Sequence, residues 1–357
     1  MLATQVFADY ATVFRAQPLP EEVVHHAKRA VIDWYASLFP GLATPSVKML
    51  EQALADDLDH GGARLALGRR ATARTAALIN GTAAHAAEVD DSFRDAMYHP
   101  GAATIAAALA ASQDTRASGL QFLRGVVLGY EISTRIGVVM GRSHYRYWHS
   151  TGTVGTFGAA SAAGDIHGLD APAFAHALAT SATFAAGLQQ AFRMDSMSKP
   201  LHAGRAAEAG LLAVKLARLG LTGSLDMFDG EAGLGQAMST GPDWSQVGAT
   251  LGRDFHITRL TFKNHIGCGH TFAAIDGALA VFLLQRGAVG GVGILRQFQT
   301  KLLRLSLRAL ERLVVGSVLI GDLFLVNPAG ADADFVGGFR CTQHFGLARL
   351  FQRCLII

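Results

Sequence analysis

The chain has 357 residues, of which half are apolar and 17% are charged, and its formal net charge is +3. This composition is typical of a well-buried globular protein and excludes the disordered and fibrous classes, while the length favours two domains. The 31 basic and 28 acidic residues are spread along the chain without a long basic run, so nucleic acid is not expected as a partner.

The N-terminal stretch MLATQVFADYATVFRAQPLP predicts no targeting signal. It lacks a basic segment followed by an apolar core, and Asp9 interrupts it. The longest apolar run, residues 313–326, is too short to span a bilayer and contains Asp322. We therefore expect no membrane partner and a cytoplasmic location.

Helical periodicity dominates the chain up to about residue 240. Apolar residues recur at spacings of three and four in residues 21–39, 71–87, 101–112 and 122–141. Alanine and glycine are frequent in these segments, and such small residues let helix backbones pack closely. A large all-helical domain over residues 1–250 is therefore predicted.

A change of pattern follows this helical region. Residues 253–263, RDFHITRLTFK, alternate apolar and polar side chains, which predicts the first strand of the chain. We place the start of a smaller α/β lid domain at residues 251–282 and an atypical tail at residues 283–357. The predicted fold class is therefore mainly α, with a truncated or aberrant α/β domain.

A basic residue precedes each of three helices rich in small residues. His99 stands before Pro100, His149 before Ser150, and Lys199 before Pro200. Proline suits the first position of a helix, and serine caps helices well. If the three helix starts converge, they form a pocket for a substrate with several carboxylates. Histidine also moves protons near neutral pH.

The ammonium group of Lys199 needs a negatively charged partner. At the start of a helix, its ammonium group lies beside unpaired backbone N–H groups and the positive end of the helix dipole. Two positive features together need an anion, and Glu208 is two turns away. The alternatives are a solvated lysine before an ordinary helix and a lysine whose positive charge is neutralised by a substrate carboxylate.

Three carboxylates, Glu88, Asp90 and Asp91, precede His99. In the same cleft they could orient the histidines or bind a substrate hydroxyl group. The alternative is a solvated acidic turn.

Metal and cofactor sites are not predicted. His85 and Glu88 have the spacing of a di-iron helix, but the second copy of that motif is missing. Cys268, Cys341 and Cys354 form no CxxC pair, which predicts neither a disulfide framework nor a zinc site. Two glycine-rich segments lack the strand and helix context of a nucleotide site.

Five ordered segments resemble the MmgE/PrpD family. They are NGTAAHAAEVDDS with HPGAA, GYEISTRIG, SHYRYWHSTGTVGTFGAA, MSKPLHAGRAAEAGLLA and FKNHIGCGHTFAAID. The family includes 2-methylcitrate dehydratases, cis-aconitate decarboxylases and an iminodisuccinate epimerase. The resemblance implies cofactor-free proton chemistry beside a carboxylate, a helical domain joined to a smaller α/β domain, and a homodimer.

The resemblance also implies the site residues. His99, His149, Lys199 and Lys263 match the family's basic active-site positions, and we predict that they are catalytic. The predicted substrate-binding residues are Glu88, Asp91, His202 and His270. Relatives often have aspartate where this chain has Glu88, and two cysteines where it reads NHIGCGH; such differences touch substrate choice.

The predicted function is a lyase acting on a small di- or tricarboxylate, with dehydration of a 2-methylcitrate-like or citrate-like substrate as the first choice. Decarboxylation of the cis-aconitate type and epimerisation of the iminodisuccinate type need much the same pocket. From another class, the chain could be an inactive carboxylate-binding or structural helical protein.

Residues 283–357 match none of the family's motifs. They contain eight arginines but a single lysine, Lys301, a bias that a GC-rich coding sequence read out of frame produces. We hypothesise a frame shift near residue 283, which would leave the chain weakly active. The alternative is a divergent but functional lid.

Overall fold

A computed structural model describes residues 1–194 and 196–285, without the side chains of His270 and residues 281–285. Residues Met1–Phe282 form one compact unit. The described part is built from α-helices and one two-stranded antiparallel sheet, β1 (Leu58–Arg64) with β2 (Arg70–Ala71). The helices are α1 (Ala3–Ala16), α2 (Glu21–Gly41), α3 (Pro45–Ala53), α4 (Ala73–Ala86), α5 (Pro100–Thr115), α6 (Gly119–Tyr145), α7 (Ser150–Ile166), α8 (Ala171–Phe184), α9 (Leu201–Arg218), α10 (Leu234–Met238) and α11 (Phe272–Gln285).

The helical prediction is confirmed, and α2, α4, α5 and α6 cover the four predicted segments. Side chains define several of the boundaries. Thr72 accepts a hydrogen bond from the Thr75 N–H at the start of α4, and Ser118 and Gln121 form a capping box at the start of α6.

Helix α7 lies at the centre of the fold. Every one of its residues is buried, and it packs against α5, α6, α8 and α9. Small side chains let neighbouring helices approach α7 closely on all sides, and most residues of its sequence STGTVGTFGAASAAGDI are glycine, alanine, serine or threonine. The alanine and glycine content predicted close packing, and the contacts around α7 confirm it.

Glycine is required where α4 crosses α9. A Cβ atom on Gly204 would lie 2.1 Å from the carbonyl oxygen of Leu78 and 2.2 Å from the hydroxyl oxygen of Thr82. No side chain fits between the two backbones at this point. The crossing fixes the position of α9, whose N-terminal end carries His202.

The strand predicted over residues 253–263 is wrong. Residues His256–Arg259 form a short 3-10 helix, and only Thr261 pairs with another segment, through a single antiparallel bridge to Ser92. The alternating pattern arises because the segment lies on α6 with one side buried. No strand forms, because no described strand lies beside it to pair with its backbone N–H and C=O groups.

Polar contacts attach this segment to α6. The carboxylate of Glu131 accepts the N–H of His256 at 2.5 Å and an N–H of Arg135 at 3.0 Å. Arg135 also donates to the carbonyl oxygens of Thr250 and Asp254. Burial raises the pKa of Glu131 to about 7, although Arg135 opposes the shift. We call these residues the α6 clamp.

No helix in residues 1–194 or 196–285 is long and apolar enough to cross a membrane. The predicted boundaries at residues 250 and 282 remain predictions. The hypothesis of a shifted reading frame falls on residues 286–357, as do Cys341 and Cys354, and lies outside the described residues.

Candidate active site

Three helix starts surround the candidate site. His99 directly precedes α5 and His149 directly precedes α7, as predicted. Helix α9 begins at Leu201, one residue later than expected, with Pro200 at its cap position. The cap that Ser150 was expected to provide is absent, because Ser150 lies inside α7. The hydroxyl oxygen of Thr151, the next residue, accepts the backbone N–H of His99 at 3.3 Å.

Four histidine rings form one cluster between these helices. His85, at the end of α4, is fully buried, and its ring centroid lies 5.4 Å from that of His99 and 5.3 Å from that of His149. His202 continues the cluster, with its ring centroid 5.2 Å from that of His149. The structure therefore brings His99, His149 and His202 together around a ring that the sequence analysis considered only as a metal ligand.

The tautomer of His99 follows from its partners. Its Nδ1 lies 2.6 Å from the backbone carbonyl oxygen of Asp91, which can only accept, so Nδ1 carries the proton. In the neutral ring Nε2 is then the basic nitrogen. Burial lowers the pKa of His99 to about 4, and the nearby Asp90 carboxylate only partly offsets this. His99 is therefore a neutral base at physiological pH.

His149 and His202 share one hydrogen bond. Their Nδ1 atoms are 2.9 Å apart, so one ring donates and the other accepts, which requires at least one neutral ring. Burial lowers the pKa of His149 well below its usual value, and the neighbouring His85 lowers it further. Burial likewise lowers the pKa of His202 to about 4. The pair is neutral at physiological pH.

Asp90 is the central anion of the site. Its carboxylate lies 2.7 Å from Nδ1 of His85 and 3.4 Å from Nζ of Lys263. Burial alone would raise the pKa of Asp90, but His85, His99 and Lys263 outweigh burial and hold the pKa well below its usual value. Asp90 therefore orients His85 and compensates the charge of Lys263.

The two predicted lysines meet at Glu88. Lys199 forms an ion pair with the Glu88 carboxylate, and its ammonium group lies 4.8 Å from the ring centroid of Phe192. Lys263 donates to the backbone carbonyl oxygen of Glu88 at 3.0 Å. The neighbour suggested by sequence for Lys199, Glu208, instead pairs with Arg74 and Arg205.

The carboxylate of Asp91 binds groups at the start of α5 and on α6. One of its carboxylate oxygens accepts the backbone N–H of Gly101 at 3.0 Å, and the other accepts the hydroxyl group of Tyr130 at 2.8 Å. Burial raises the pKa of Asp91 to about 7. Both oxygens are used within the protein, so Asp91 holds the start of α5, and its predicted contact with substrate remains a prediction.

The remaining predicted site residue is His270, whose side chain lies outside the described residues. Sequence reasoning missed His85 and Phe192 as parts of the site. His85 ends a helix five residues before Asp90, a spacing at which a turn can bring the two side chains together. Phe192, whose ring contacts both His149 and Lys199, gave no sequence signal.

A cavity of about 520 Å³ borders the histidine cluster at His202. Backbone and apolar groups of Ala186, Gly187 and Leu188 line one part of it, and Arg205 contributes a charged side chain. The cavity gives His202 access to solvent. Within residues 1–194 and 196–285, no three His, Cys, Asp or Glu side chains are arranged to hold a metal ion.

Comparisons with known proteins agree with the ordered motifs. The family model described as MmgE/PrpD N-terminal domain matches residues 5–247. A cis-aconitate decarboxylase-like protein of Aspergillus oryzae is 28% identical over 76% of this chain and 60% of its own length. The human cis-aconitate decarboxylase is 30% identical over 65% of this chain and 49% of its own length, and the Aspergillus terreus enzyme is 27% identical over 76% and 59%. The chain thus spans about half to three fifths of the length of these relatives.

Proposed function

Because the chain belongs to the MmgE/PrpD family, we propose that it is a lyase that removes a carboxylate from a small tricarboxylate of the cis-aconitate kind. The observation that carries this proposal is the meeting of two lysines with a cluster of neutral histidines around Glu88 and Asp90. Similarity to proteins named cis-aconitate decarboxylases favours decarboxylation over the dehydration that the sequence analysis put first.

Lys199 and Lys263 bind substrate carboxylates in this proposal. When the carbon–carbon bond to one carboxylate breaks, carbon dioxide leaves and the electron pair passes into the remaining conjugated carboxylate. The ammonium groups stabilise the charge that develops there, and a partly buried site strengthens this effect.

His99 and His149 handle the proton. A bound tricarboxylate brings negative charge close to both rings, which raises their pKa in the complex and lets one of them carry a proton. That proton goes to a carbon of the conjugated system that carries the delocalised electron pair, so the product has one hydrogen more and one carboxylate fewer. Nε2 of His99 is our choice for the donor, since its Nδ1 is held by the Asp91 carbonyl oxygen.

Dehydration of a citrate-like substrate is the second candidate. A neutral histidine base beside an ammonium-bound carboxylate also suits removal of an α-proton and loss of a hydroxide. Asp91 and His270 remain candidates for contact with substrate. We also propose a homodimer and a cytoplasmic location, which mass measurement in solution and fractionation of the source cells would test.

The test is a turnover assay of the purified chain with cis-aconitate, 2-methylcitrate and citrate, followed by nuclear magnetic resonance of the products. Loss of a carboxylate from cis-aconitate, absent in Lys263→Ala, supports decarboxylation. Water loss from citrate or 2-methylcitrate supports dehydration instead. Binding of these acids without any turnover would contradict the lyase and leave a carboxylate-binding protein.

A further inference from the structure

The Glu88 carboxylate forms an ion pair with Lys199, the lysine that is proposed to bind a substrate carboxylate. Glu88 and Lys199 are 111 residues apart in the chain, and their ion pair is partly buried, with 27% and 19% of the side chains exposed. The ring of Phe192 covers another side of the ammonium group. Within the protein, Lys199 therefore has both a carboxylate partner and an aromatic neighbour.

The backbone of Glu88 is fixed on both sides. Its φ of 58° lies in the left-handed region, which is costly for a residue other than glycine. In this conformation its carbonyl oxygen accepts from Nζ of Lys263 and from the N–H of Gly267, each at 3.0 Å. Only the carboxylate end of Glu88 is free to move to a new position.

Each lysine of the site has a carboxylate partner within the protein. Two ammonium groups, those of Lys199 and Lys263, face two carboxylates, those of Glu88 and Asp90. Burial alone would raise the pKa of Glu88, but His85 and Lys199 outweigh burial and hold the pKa below its usual value, so the group is ionised. A substrate carboxylate that approaches Lys199 therefore competes with the carboxylate of Glu88.

Of the two carboxylates, Glu88 is the one able to move. Asp90 is 2% exposed, and both His85 and Lys263 contact it. Glu88 is more exposed, and its longer side chain can turn towards solvent with its backbone unchanged. An incoming carboxylate therefore needs less free energy to displace Glu88 from Lys199 than to displace Asp90 from Lys263.

Building on the proposed function, we propose that Glu88 determines substrate specificity as an internal competitor. Its carboxylate holds the place of one substrate carboxylate at Lys199, and a ligand binds there only by displacing it. A ligand with several carboxylates gains contacts elsewhere in the site that offset this displacement, whereas a monocarboxylate does not. The residue therefore selects for polycarboxylates.

Calorimetric titration of the full chain tests this with citrate, succinate and acetate as probes. Glu88→Gln should bind citrate about tenfold more tightly than the unaltered chain and should bind acetate measurably, because the ammonium group loses its internal partner. Glu231→Gln, which removes one exposed negative charge far along the chain from the cluster, should bind as the unaltered chain does. If Glu88→Gln does not fold, Glu88→Ala replaces it, since that side chain has no carboxylate to pair with Lys199 and should give a gain of the same sign.

Unchanged or weaker citrate binding in the Glu88 variant would overturn the proposal, and so would the absence of binding in both proteins. The measurement needs no turnover. If the variants bind acids as expected but the chain converts none of them, the proposed lyase activity is contradicted and the role of Glu88 stands. If the chain turns over its substrate but Glu88→Gln binds citrate as the unaltered chain does, the lyase activity stands and the role of Glu88 is contradicted.

Discussion

The two lysines of the site are held in different ways. Lys263 is almost fully buried and contacts a backbone carbonyl oxygen, whereas Lys199 lies at the edge of the cluster against Phe192. Lys199 is therefore the one whose loss changes ligand binding with little effect on the fold.

We predict that Lys199→Ala lowers kcat/KM by roughly 10²-fold or more, the scale expected when a group that stabilises developing charge is removed. The melting temperature of the unliganded protein should change little. Lys215→Ala is the matched control, because Lys215 also forms an ion pair, with Asp114 at 3.3 Å, but lies outside the histidine cluster. Equal activity of the two variants would remove Lys199 from the site.

The pH dependence of activity should reflect the buried histidines. Because the pKa of His99 is about 4 in the free protein, the ring stays neutral as pH falls through 6.5 and gains a proton only near pH 4. Since the protonated ring of His99 is the proposed donor, kcat/KM, which reports the free enzyme, should fall as pH rises, and this limb should lie well below pH 6. The limb of kcat should lie at higher pH, since bound carboxylates raise the pKa of the ring.

Rate profiles from pH 4 to pH 8 check this prediction. His99→Gln should abolish the fall of activity with rising pH, whereas a substitution of the exposed His60 should leave that fall unchanged. A limb of kcat/KM near pH 6.5 that survives in His99→Gln would show that another group carries the proton.

At the scale of elements, the closeness of α4 and α9 is the most demanding feature. A methyl group on Gly204 would meet backbone atoms, which cannot turn aside as a side chain can. We expect Gly204→Ala to destabilise the fold by about 1–3 kcal/mol, the usual effect of overpacking. Thermal unfolding measures this, with Gly119→Ala as the control, because a Cβ atom there meets nothing within 4 Å. Equal melting temperatures for the two variants would contradict the tight crossing.

The sequence predicted the helices correctly, but it could not show that residues 253–263 form no strand. Apolar spacing fixes which face of a helix is buried, and α2 and α6 follow that rule over their length. In residues 253–263 the same alternation that suits a strand also suits a segment lying on α6, and only the partner decides between the two. That partner, Glu131, is 125 residues from His256.

At the scale of the whole molecule, a ligand of the site should stabilise the entire fold. A tricarboxylate at about one hundred times its Kd should add about 2.7 kcal/mol to the free energy of unfolding, by mass action. Thermal unfolding with citrate, at ionic strength matched with sodium chloride, measures the shift. The shift should be much smaller in Lys199→Ala, and an equal shift with sodium chloride alone would show that no specific site is filled.

The candidate site was predictable only in part. The three helix starts could be found locally, because Pro100, Ser150 or Pro200 marks each boundary, and the motifs added Lys263. The pairing of Glu88 with Lys199 and the central place of His85 depend on contacts between distant segments, for which local spacing holds no information. The charge balance of the pocket therefore required the three-dimensional structure.

The α6 clamp determines what fraction of the molecules is able to bind a carboxylate at a given moment. Residues 250–261 are joined to α6 by hydrogen bonds to one buried carboxylate and one guanidinium group, and a local opening of this segment would break those bonds. Each opening withdraws Lys263, two residues beyond Thr261, from Glu88 and Asp90. The measured affinity for a carboxylate is then the intrinsic affinity multiplied by the closed fraction. Glu131→Gln, which leaves Arg135 without its counter-charge, should lower that fraction, raising KM and speeding hydrogen exchange in residues 250–261 while exchange in α7 stays slow.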